Sequence, residues 1–231
     1  MRINKAMADR GLASRREADR LIATGGVTVN GEVAHIGQQV REEDVIAITG
    51  TKPQYRYIAY YKPRGIITHS PSPNEVDIEM VLRSDHRLTG LAPIGRLDKV
   101  SEGLIICSDD GRLTAPLLDP NNSIEKEYEV TVNKDVPPRM LRRLERGVDI
   151  EGYTTKQAKA TPKNNRTFFL TLTEGKKHQI RRMCAALGFQ VVALKRVRVA
   201  TITLDGLTPN TYRNIRDTEL KALAEHLGLT L

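Results

Sequence analysis

The sequence predicts an α+β protein with a mostly antiparallel mixed sheet, flanked by helices and preceded by a small α/β unit. Three observations lead to this fold class. Strand-like segments rich in Thr and β-branched residues recur along the chain, amphipathic helical segments lie between them, and no Gly-x-Gly-x-x-Gly turn occurs. The 231 residues are 39% hydrophobic and 28% charged, which is enough apolar content to bury a core.

Residues 1–49 predict two helices followed by a hairpin. Ser14 and Glu17 have the spacing of a capping box that begins the second helix. Asn30-Gly31 tolerates the positive φ angles of a tight turn and predicts a hairpin around it. The second helix carries three arginines, which either contact a nucleic acid or only keep the helix soluble: Arg15, Arg16 and Arg20.

The remainder, residues 55–231, follows a predicted linker over residues 50–54, which is rich in Gly, Pro and Lys. The strands predicted here cover residues 57–61, 104–107, 128–132, 168–173 and 200–204. The predicted helices cover residues 138–146, 179–187 and 218–226. Strands therefore dominate this second domain, and helices flank them.

The formal net charge of +8 arises entirely beyond residue 50, because residues 1–50 hold seven basic and seven acidic residues. Seven cations and no acidic residue lie between Lys176 and Arg198, interleaved with apolar residues. A concentrated positive face on folded backbone is typical of a phosphate-binding groove, so this stretch predicts one.

Several classes are excluded or disfavoured by composition. No apolar run approaches the ~18 residues of a membrane span, and the amino terminus lacks the apolar stretch of a secretory signal. Two distant cysteines make no disulfide scaffold, and five histidines show no metal-ligand spacing. We expect a basic, soluble, cytoplasmic, monomeric protein without a membrane partner, metal or cofactor.

The loop from Gly95 to Gly103 is the strongest candidate for chemistry. Two glycines bracket four charged residues next to a buried strand, which makes poor packing surface. Asp98 is a candidate nucleophile or base, and Asp98 with Glu102 is a candidate carboxylate pair, as in a glycosidase. The structural alternative is an aspartate that caps a turn. Composition alone leaves these interpretations open.

The same loop resembles the catalytic motif of the pseudouridine synthases, specifically the ribosomal RNA branch known as the RsuA/RluB/RluE/RluF group. Four further stretches match in order: Tyr61 to Gly65, Glu125 to Val130, Glu174 to Met183 and Leu194 to Arg198. Residues 1–49 resemble the alpha-L RNA-binding domain through Ser14 to Asp19 and Gly26 to Gly31. The resemblance covers nearly the whole chain; Tyr61 stands where the family often has Asn.

The resemblance implies an isomerase that converts uridine in RNA to pseudouridine without a cofactor. Asp98 matches the catalytic carboxylate, and Arg181 matches its ion-pair partner. Tyr128 matches the tyrosine that stacks on the target uracil. Glu102 is expected to be structural, and His178 to fix the backbone around Arg181.

The resemblance also implies a set of RNA contacts. Arg96 matches an arginine that occupies the space of the flipped nucleotide, and Ile180 is expected to pack beneath the base. Phosphate contacts are expected from three lysines, Lys62, Lys176 and Lys177, and Arg182 is expected to contact the RNA. The motifs around Gln179 to Cys184 are closest to the RluF-type large-subunit enzymes, a type that also accepts a transfer RNA.

Two other functions remain open from the sequence. A small-subunit ribosomal RNA pseudouridine synthase is the nearest alternative, and the chain length does not discriminate it. A non-catalytic RNA-binding or ribosome-assembly factor is the alternative from another class. The expected partner in each case is ribosomal RNA or a pre-ribosomal particle.

Overall fold

The structure is a computed structural model that describes residues 1–50 and 54–229. Most of the predicted linker, residues 51–53, therefore lies outside the described residues, and the exact domain boundary stays a prediction. The described chain forms two separate sheets, a three-stranded one in the amino-terminal part and a nine-stranded one beyond it.

The amino-terminal part contains helices α1 (Ile3–Asp9) and α2 (Arg15–Ala23) and strands β1 (Val27–Val29), β2 (Glu32–Val33) and β3 (Ile46–Ile48). The Ser14 hydroxyl accepts the Glu17 amide at 3.3 Å, as the capping box predicts. The Glu17 carboxylate pairs with Arg20 instead of returning to the cap, so only half of the box forms. Asn30 and Gly31 have φ angles of +53° and +91°, which confirms the tight hairpin turn.

Nine strands form the larger sheet in the described residues. Their bounds are β4 (Tyr57–Lys62), β5 (Ala92–Ile94), β6 (Glu102–Ser108), β7 (Lys126–Val132), β8 (Lys159–Asn164), β9 (Thr167–Leu172), β10 (Val191–Val199), β11 (Ile202–Thr203) and β12 (Tyr212–Asn214). The main order is β12-β4-β6-β10-β7-β9-β8, with β5 on β6 and β11 on β10. β6 and β10 run parallel and the other pairs run antiparallel, which confirms the mostly antiparallel mixed sheet.

Five helices accompany this sheet: α3 (Ile78–Arg83), α4 (Thr114–Leu118), α5 (Pro138–Arg146), α6 (Gln179–Ala186) and α7 (Asp217–Leu227). Apolar residues of α5 and α6 share one core cluster with β7, β9 and β10. Residues of α4 and α7 pack against one face of β4 and β6, and residues of α3 pack against the other. The sheet is thus covered by helices, and its central strands β6 and β10 carry the loops of the site.

The parallel pairing of β6 with β10 depends on a glycine. Gly103 faces Arg196 across the pair and has a φ of +112°. A Cβ atom at Gly103 would overlap the Arg196 carbonyl oxygen and lie 2.6 Å from the Arg196 amide nitrogen. Glycine is required because only a residue without a side chain permits both the close approach and this φ.

The strand predicted over residues 200–204 is wrong in its beginning. β10 ends at Val199, a turn with Ala200 at φ +49° follows, and β11 covers Ile202–Thr203. The long strand β10 lies where the sequence predicted only a basic folded stretch. The helices predicted over residues 138–146, 179–187 and 218–226 are confirmed to within one residue at each end.

Candidate active site

The loop that carries Asp98 connects β5 to β6 and is fixed on both sides of that residue. Leu97 is buried, and its amide and carbonyl groups bond the Thr68 hydroxyl at 3.1 and 2.8 Å. The Lys99 carbonyl accepts the Gly65 amide at 2.7 Å. Each such bond contributes about 1 kcal/mol, so the loop holds its carboxylate in a defined place. The Asp98 side chain is 32% exposed and faces a cleft.

The side chain in closest contact with the Asp98 carboxylate in the described chain is the imidazole of His178, whose Nδ1 atom lies 3.1 Å from Asp98 Oδ2. His178 precedes α6 in a left-handed conformation with φ +51°. This conformation turns the side chain toward the Asp98 loop. The sequence predicted only a backbone role for His178, because no residue spacing signals a left-handed histidine.

Arg181 does not form the expected ion pair with Asp98. Its Nη2 atom donates to the Ser101 hydroxyl at 3.2 Å, and its Nη1 atom donates to the Val191 carbonyl at 3.2 Å. The Nε atom is buried without a partner in the described residues. The guanidinium therefore braces the end of the Asp98 loop through Ser101, and His178 takes the position next to the carboxylate.

Tyr128 and Ile180 line the same cleft as Asp98, which has a volume of about 900 Å³. Tyr128 lies on β7, half-buried between two core clusters, and Ile180 is 4% exposed on the first turn of α6. Lys126, two residues before Tyr128, also lines the cleft, and burial lowers the pKa of its ammonium group. An aromatic ring and an aliphatic side chain beside a carboxylate suit a planar base attached to a sugar.

The prediction that Lys62 contacts phosphate is wrong, because this side chain is fully buried. Its ammonium group donates to the Ser101 carbonyl at 2.8 Å and to the Pro63 carbonyl at 3.0 Å. Burial lowers the pKa of Lys62 to about 8, while the negative charges of Asp98 and Glu102 act in the opposite direction. Lys62 is thus an internal support of the Asp98 loop, and its bond to Ser101 complements that of Arg181.

The basic stretch from residue 176 to 198 is mostly committed to internal contacts. Arg182 pairs with Glu151 at 2.8 Å and donates to the Ile150 carbonyl, so its predicted RNA contact is not supported. Arg196 is buried and bonds the Leu104 carbonyl at 2.7 Å. Arg198 pairs with Glu127 on β7 and with Glu125 just before that strand, each at 3.0 Å. The Lys195 ammonium lies 4.0 Å from the carboxylate of Glu129. The charges of this stretch therefore do not add up to one open groove.

Three predicted RNA contacts do line the cleft from exposed positions: Arg96, Lys176 and Lys177. The Lys176 ammonium lies 4.7 Å from the ring of Tyr153, a distance typical of a cation–π contact. The turn that carries both lysines is held by Gln179, which accepts the Lys176 amide at 2.8 Å and donates to the buried Glu174 at 2.7 Å. The positive rim of the cleft is thus preorganised by buried hydrogen bonds.

The second carboxylate of the loop, Glu102, lies outside the lining of the cleft in the described residues. The Tyr61 hydroxyl donates to it at 3.3 Å. This contact agrees with the expected structural role and provides no pair of carboxylates facing one substrate.

The three arginines of α2 are exposed in the amino-terminal part: Arg15, Arg16 and Arg20. Arg20 is paired with Glu17, whereas no contact holds Arg15 or Arg16 in the described chain. Over the residues that the structure describes, no cluster of three potential metal ligands occurs. Among the described helices, none combines the length and the apolar composition of a membrane span.

Two family models match the chain, one for each part. Residues 1–46 match the S4 domain, and residues 56–186 match the RNA pseudouridylate synthase family. A solved structure described as a pseudouridylate synthase is similar over 96% of this chain and 99% of its own, at 29% identity and a TM-score of 0.70. The fold is therefore that of the pseudouridine synthases with an amino-terminal S4 domain, the alpha-L RNA-binding motif.

Curated relatives give the same assignment. The dual-specificity RNA pseudouridine synthase RluF of Escherichia coli (strain K12) is 38% identical, with 95% of this chain and 77% of the relative covered. The ribosomal large subunit pseudouridine synthase B of Bacillus subtilis (strain 168) is 36% identical, with 97% of each covered. With this similarity, the glycosidase interpretation of the loop loses its support. The chain is an RNA-modifying enzyme that belongs to the RNA pseudouridylate synthase family and carries an S4 domain.

Proposed function

We propose that the protein converts specific uridines of ribosomal RNA to pseudouridine, with Asp98 as the catalytic carboxylate. Large-subunit RNA is the favoured substrate, and a transfer RNA is a second candidate. The observation that carries the proposal is the placement of Asp98 on a fixed loop, beside the His178 imidazole and in one cleft with Tyr128 and Ile180.

The reaction needs only groups that the chain itself supplies. The bond from uracil N1 to ribose C1′ breaks, the base rotates, and a bond from C5 to C1′ forms. The proton leaves C5 and N1 gains one, so atoms and electrons balance without an oxidant or a co-substrate. A carboxylate that acts on the sugar or on the base, together with a surface that holds the detached uracil, is sufficient.

In this proposal the cleft residues divide the work. Asp98, held close to the His178 imidazole, reacts with the extruded nucleotide. Tyr128 stacks on the uracil and assists the loss of the C5 proton, and Ile180 supports the base from below. Arg181 acts as a positioning residue, because its contact to the Ser101 hydroxyl braces the loop that carries Asp98.

The positive rim contacts the RNA backbone. Arg96 fills the space that the extruded nucleotide leaves, and Lys176 and Lys177 bind neighbouring phosphates. Exposed cations on preorganised backbone are suited to this, since phosphate contacts position an RNA without reading its sequence. We place Arg15 and Arg16 of the S4 domain at a more distant part of the same RNA.

The substrate preference rests on relatives. One relative is a dual-specificity RNA pseudouridine synthase, and another is a pseudouridine synthase of the large ribosomal subunit. We therefore propose ribosomal RNA or a pre-ribosomal particle as the partner, the cytoplasm as the location and a monomer as the active form. The small-subunit enzyme is the alternative substrate class.

The test is to incubate the purified protein with unmodified transcripts of large-subunit RNA, small-subunit RNA and transfer RNA. Pseudouridines are then mapped by carbodiimide adduct formation and reverse transcription. We expect modification at one or few uridines of the large-subunit transcript. Modification of the small-subunit transcript alone would contradict the substrate preference, and a protein that modifies none of the three would contradict the proposed function.

A further inference from the structure

Helix α5 presents a row of arginines that the active site does not use. Its four arginines are spaced i, i+3, i+4 and i+7, which places them within one side of a helix with 3.6 residues per turn. The opposite side is buried against the sheet through Met140, Leu141 and Leu144. We call this row the arginine stripe; it consists of Arg139, Arg142, Arg143 and Arg146, all of them exposed.

The guanidiniums of the stripe have no hydrogen bond or ion pair within the described residues. Three other exposed arginines of the same domain are each paired with a carboxylate: Arg83 with Glu79 at 2.6 Å, Arg87 with Asp85 at 2.7 Å and Arg166 with Asp135 at 3.1 Å. The stripe differs from these three arginines because it places four guanidiniums on one side of a helix and none of them forms an ion pair in the described chain.

This arrangement works against the helix that carries it. Like charges at i,i+3 and i,i+4 each destabilise a helix by about 0.2–0.5 kcal/mol, and the stripe contains four such pairs. The first turn of α5 has no acidic residue, and Arg139 lies there beside the positive end of the helix dipole. The nearest acid, Glu145, points to β8, where it accepts the Ala160 amide. An anionic ligand would relieve this repulsion.

The chain leads from the stripe directly to the rim of the cleft. α5 ends before Gly147, and six residues later the Tyr153 hydroxyl donates to Glu174 at 2.6 Å. Tyr153 is seven residues beyond Arg146, and seven residues span at most about 25 Å, so the two backbones lie within that distance of each other. Tyr153 itself contacts Lys176 on the rim. A short segment of chain therefore connects the stripe to the rim, and an RNA that extends beyond the cleft on this side can reach the stripe.

We propose that the arginine stripe of α5 binds the phosphate backbone of the substrate RNA beside the target uridine. This inference rests on the proposed function, since it takes RNA as the substrate. The stripe extends about 10 Å along the helix axis, which matches about three successive phosphates of one strand. Guanidinium groups bind phosphate oxygens in a bidentate manner. A membrane surface fits less well, because the apolar face of α5 is turned into the core.

The experiment compares two triple variants of the full-length protein that lose the same charge. One is Arg139→Gln/Arg143→Gln/Arg146→Gln in the stripe, and the control is Arg83→Gln/Arg87→Gln/Arg166→Gln at paired positions. Binding to a large-subunit ribosomal RNA transcript is measured between 50 and 300 mM KCl. We expect the stripe variant to bind at least about tenfold more weakly at 100 mM and to reduce the slope of log K against log salt by about two to three.

Two outcomes would overturn the proposal. One is an unchanged RNA affinity of the stripe variant, which is the result expected if the stripe binds a different anion. The other is an equal loss of RNA affinity in the stripe variant and the control variant. The stripe variant keeps its fold because its guanidiniums lack partners, and we expect an equal or higher Tm. The readout is binding, so it is separable from the proposed function. A wild-type protein that binds the transcript but makes no pseudouridine would contradict the function and still test the stripe.

Discussion

At the scale of single residues, the backbone angle of His178 decides what faces Asp98. A φ of +51° costs a non-glycine residue about 1 kcal/mol, and Gly and Asn tolerate it best. Histidine is retained at this strained position, where its Nδ1 atom lies 3.1 Å from the Asp98 carboxylate. The conformation and the contact together indicate a positioning role.

Two substitutions separate the backbone role of His178 from its side-chain role. His178→Gly keeps the left-handed conformation but removes the imidazole, whereas His178→Asn keeps both the conformation and a polar group near the Nδ1 position. Because a polar contact to a partly exposed carboxylate contributes about 1 kcal/mol, we expect kcat to fall about fivefold for His178→Gly. We expect a smaller loss for His178→Asn. Equal kcat values for the two variants would contradict a side-chain role.

Lys62 gives a pH dependence that stability measurements can detect. Its pKa of about 8 lies below the ordinary value of 10.5, because burial disfavours the charged form. Between these values the unfolded chain holds a proton that the folded chain has lost. The unfolding free energy contributed by this group therefore rises with pH, by up to about 1.4 kcal/mol per pH unit.

The variant Lys62→Met removes this titration. We expect the unfolding free energy of the wild type, measured in urea, to rise relative to Lys62→Met between pH 8 and 10.5. Below pH 8 the difference between the two proteins is expected to be constant, because Lys62 is protonated in both the folded and the unfolded chain. If the unfolding free energies of the wild type and Lys62→Met changed in parallel across the whole pH range, the burial of the Lys62 ammonium would be contradicted.

At the scale of elements, the central strand pair depends on the contact between Gly103 and Arg196. The variant Gly103→Ala places a Cβ atom in the Arg196 backbone at a φ of +112°. We expect a loss of at least about 3 kcal/mol in unfolding free energy, because neither strand of the pair can shift within the sheet.

A matched control for Gly103→Ala is Gly206→Ala. Gly206 also has a positive φ, +76°, but nothing lies within 4 Å of the Cβ position. Its loss is expected to be about 1 kcal/mol, from backbone strain alone. Equal losses in urea denaturation would mean that overlap with Arg196 contributes nothing.

The elements also show what the sequence could and could not predict. Helices with a clear apolar stripe, such as α5, are predictable because the 3.6-residue period determines their buried face. β10 was missed because bulges interrupt its pairing with β7 between Val191 and Ala193 and between Arg196 and Arg198. These bulges shift the alternation of inward-facing and outward-facing side chains along β10. Arg196 therefore faces inward, and a charged residue occupies a buried position.

The same limit applies to the site. Asp98, Tyr128 and Ile180 could be predicted to share one site, because each belongs to a motif of the family that the sequence resembles. In the structure, all three line one cleft. The burial of Lys62 was not, since a lysine in a sequence carries no sign of the two carbonyl groups that bind it. The left-handed turn at His178 was likewise invisible, because it depends on tertiary contacts.

At the scale of the whole molecule, the S4 domain rests directly on the catalytic domain. Arg112 Nη1 lies 3.5 Å from the Gly11 carbonyl, and a Cβ atom at Gly111 would lie 2.5 Å from the Ser14 Cβ. The φ of Gly111 is not positive, so the backbone conformation does not require glycine at this position. The close approach of Ser14 does, because it leaves no room for a Cβ atom. This contact fixes the distance between the arginines of α2 and the cleft.

The variant Gly111→Ala is expected to push the two domains apart without unfolding either. The radius of gyration measured by X-ray scattering should increase, and the affinity for the RNA transcript should fall several-fold. The double variant Gly111→Ala/Ser14→Gly removes the overlap and retains a residue that caps helices well, so it should restore both values. An unchanged radius in Gly111→Ala would contradict a tight contact between the domains.

The central claim is that Asp98 performs the isomerisation in a cleft that the chain preorganises for it. The most direct measurement compares Asp98→Asn with Asp205→Asn, an exposed aspartate outside the cleft, by mapping pseudouridine in the large-subunit transcript. We predict no pseudouridine with Asp98→Asn at unchanged RNA affinity, and wild-type modification with Asp205→Asn. Pseudouridine formed by Asp98→Asn at a rate near that of the wild type would contradict the account.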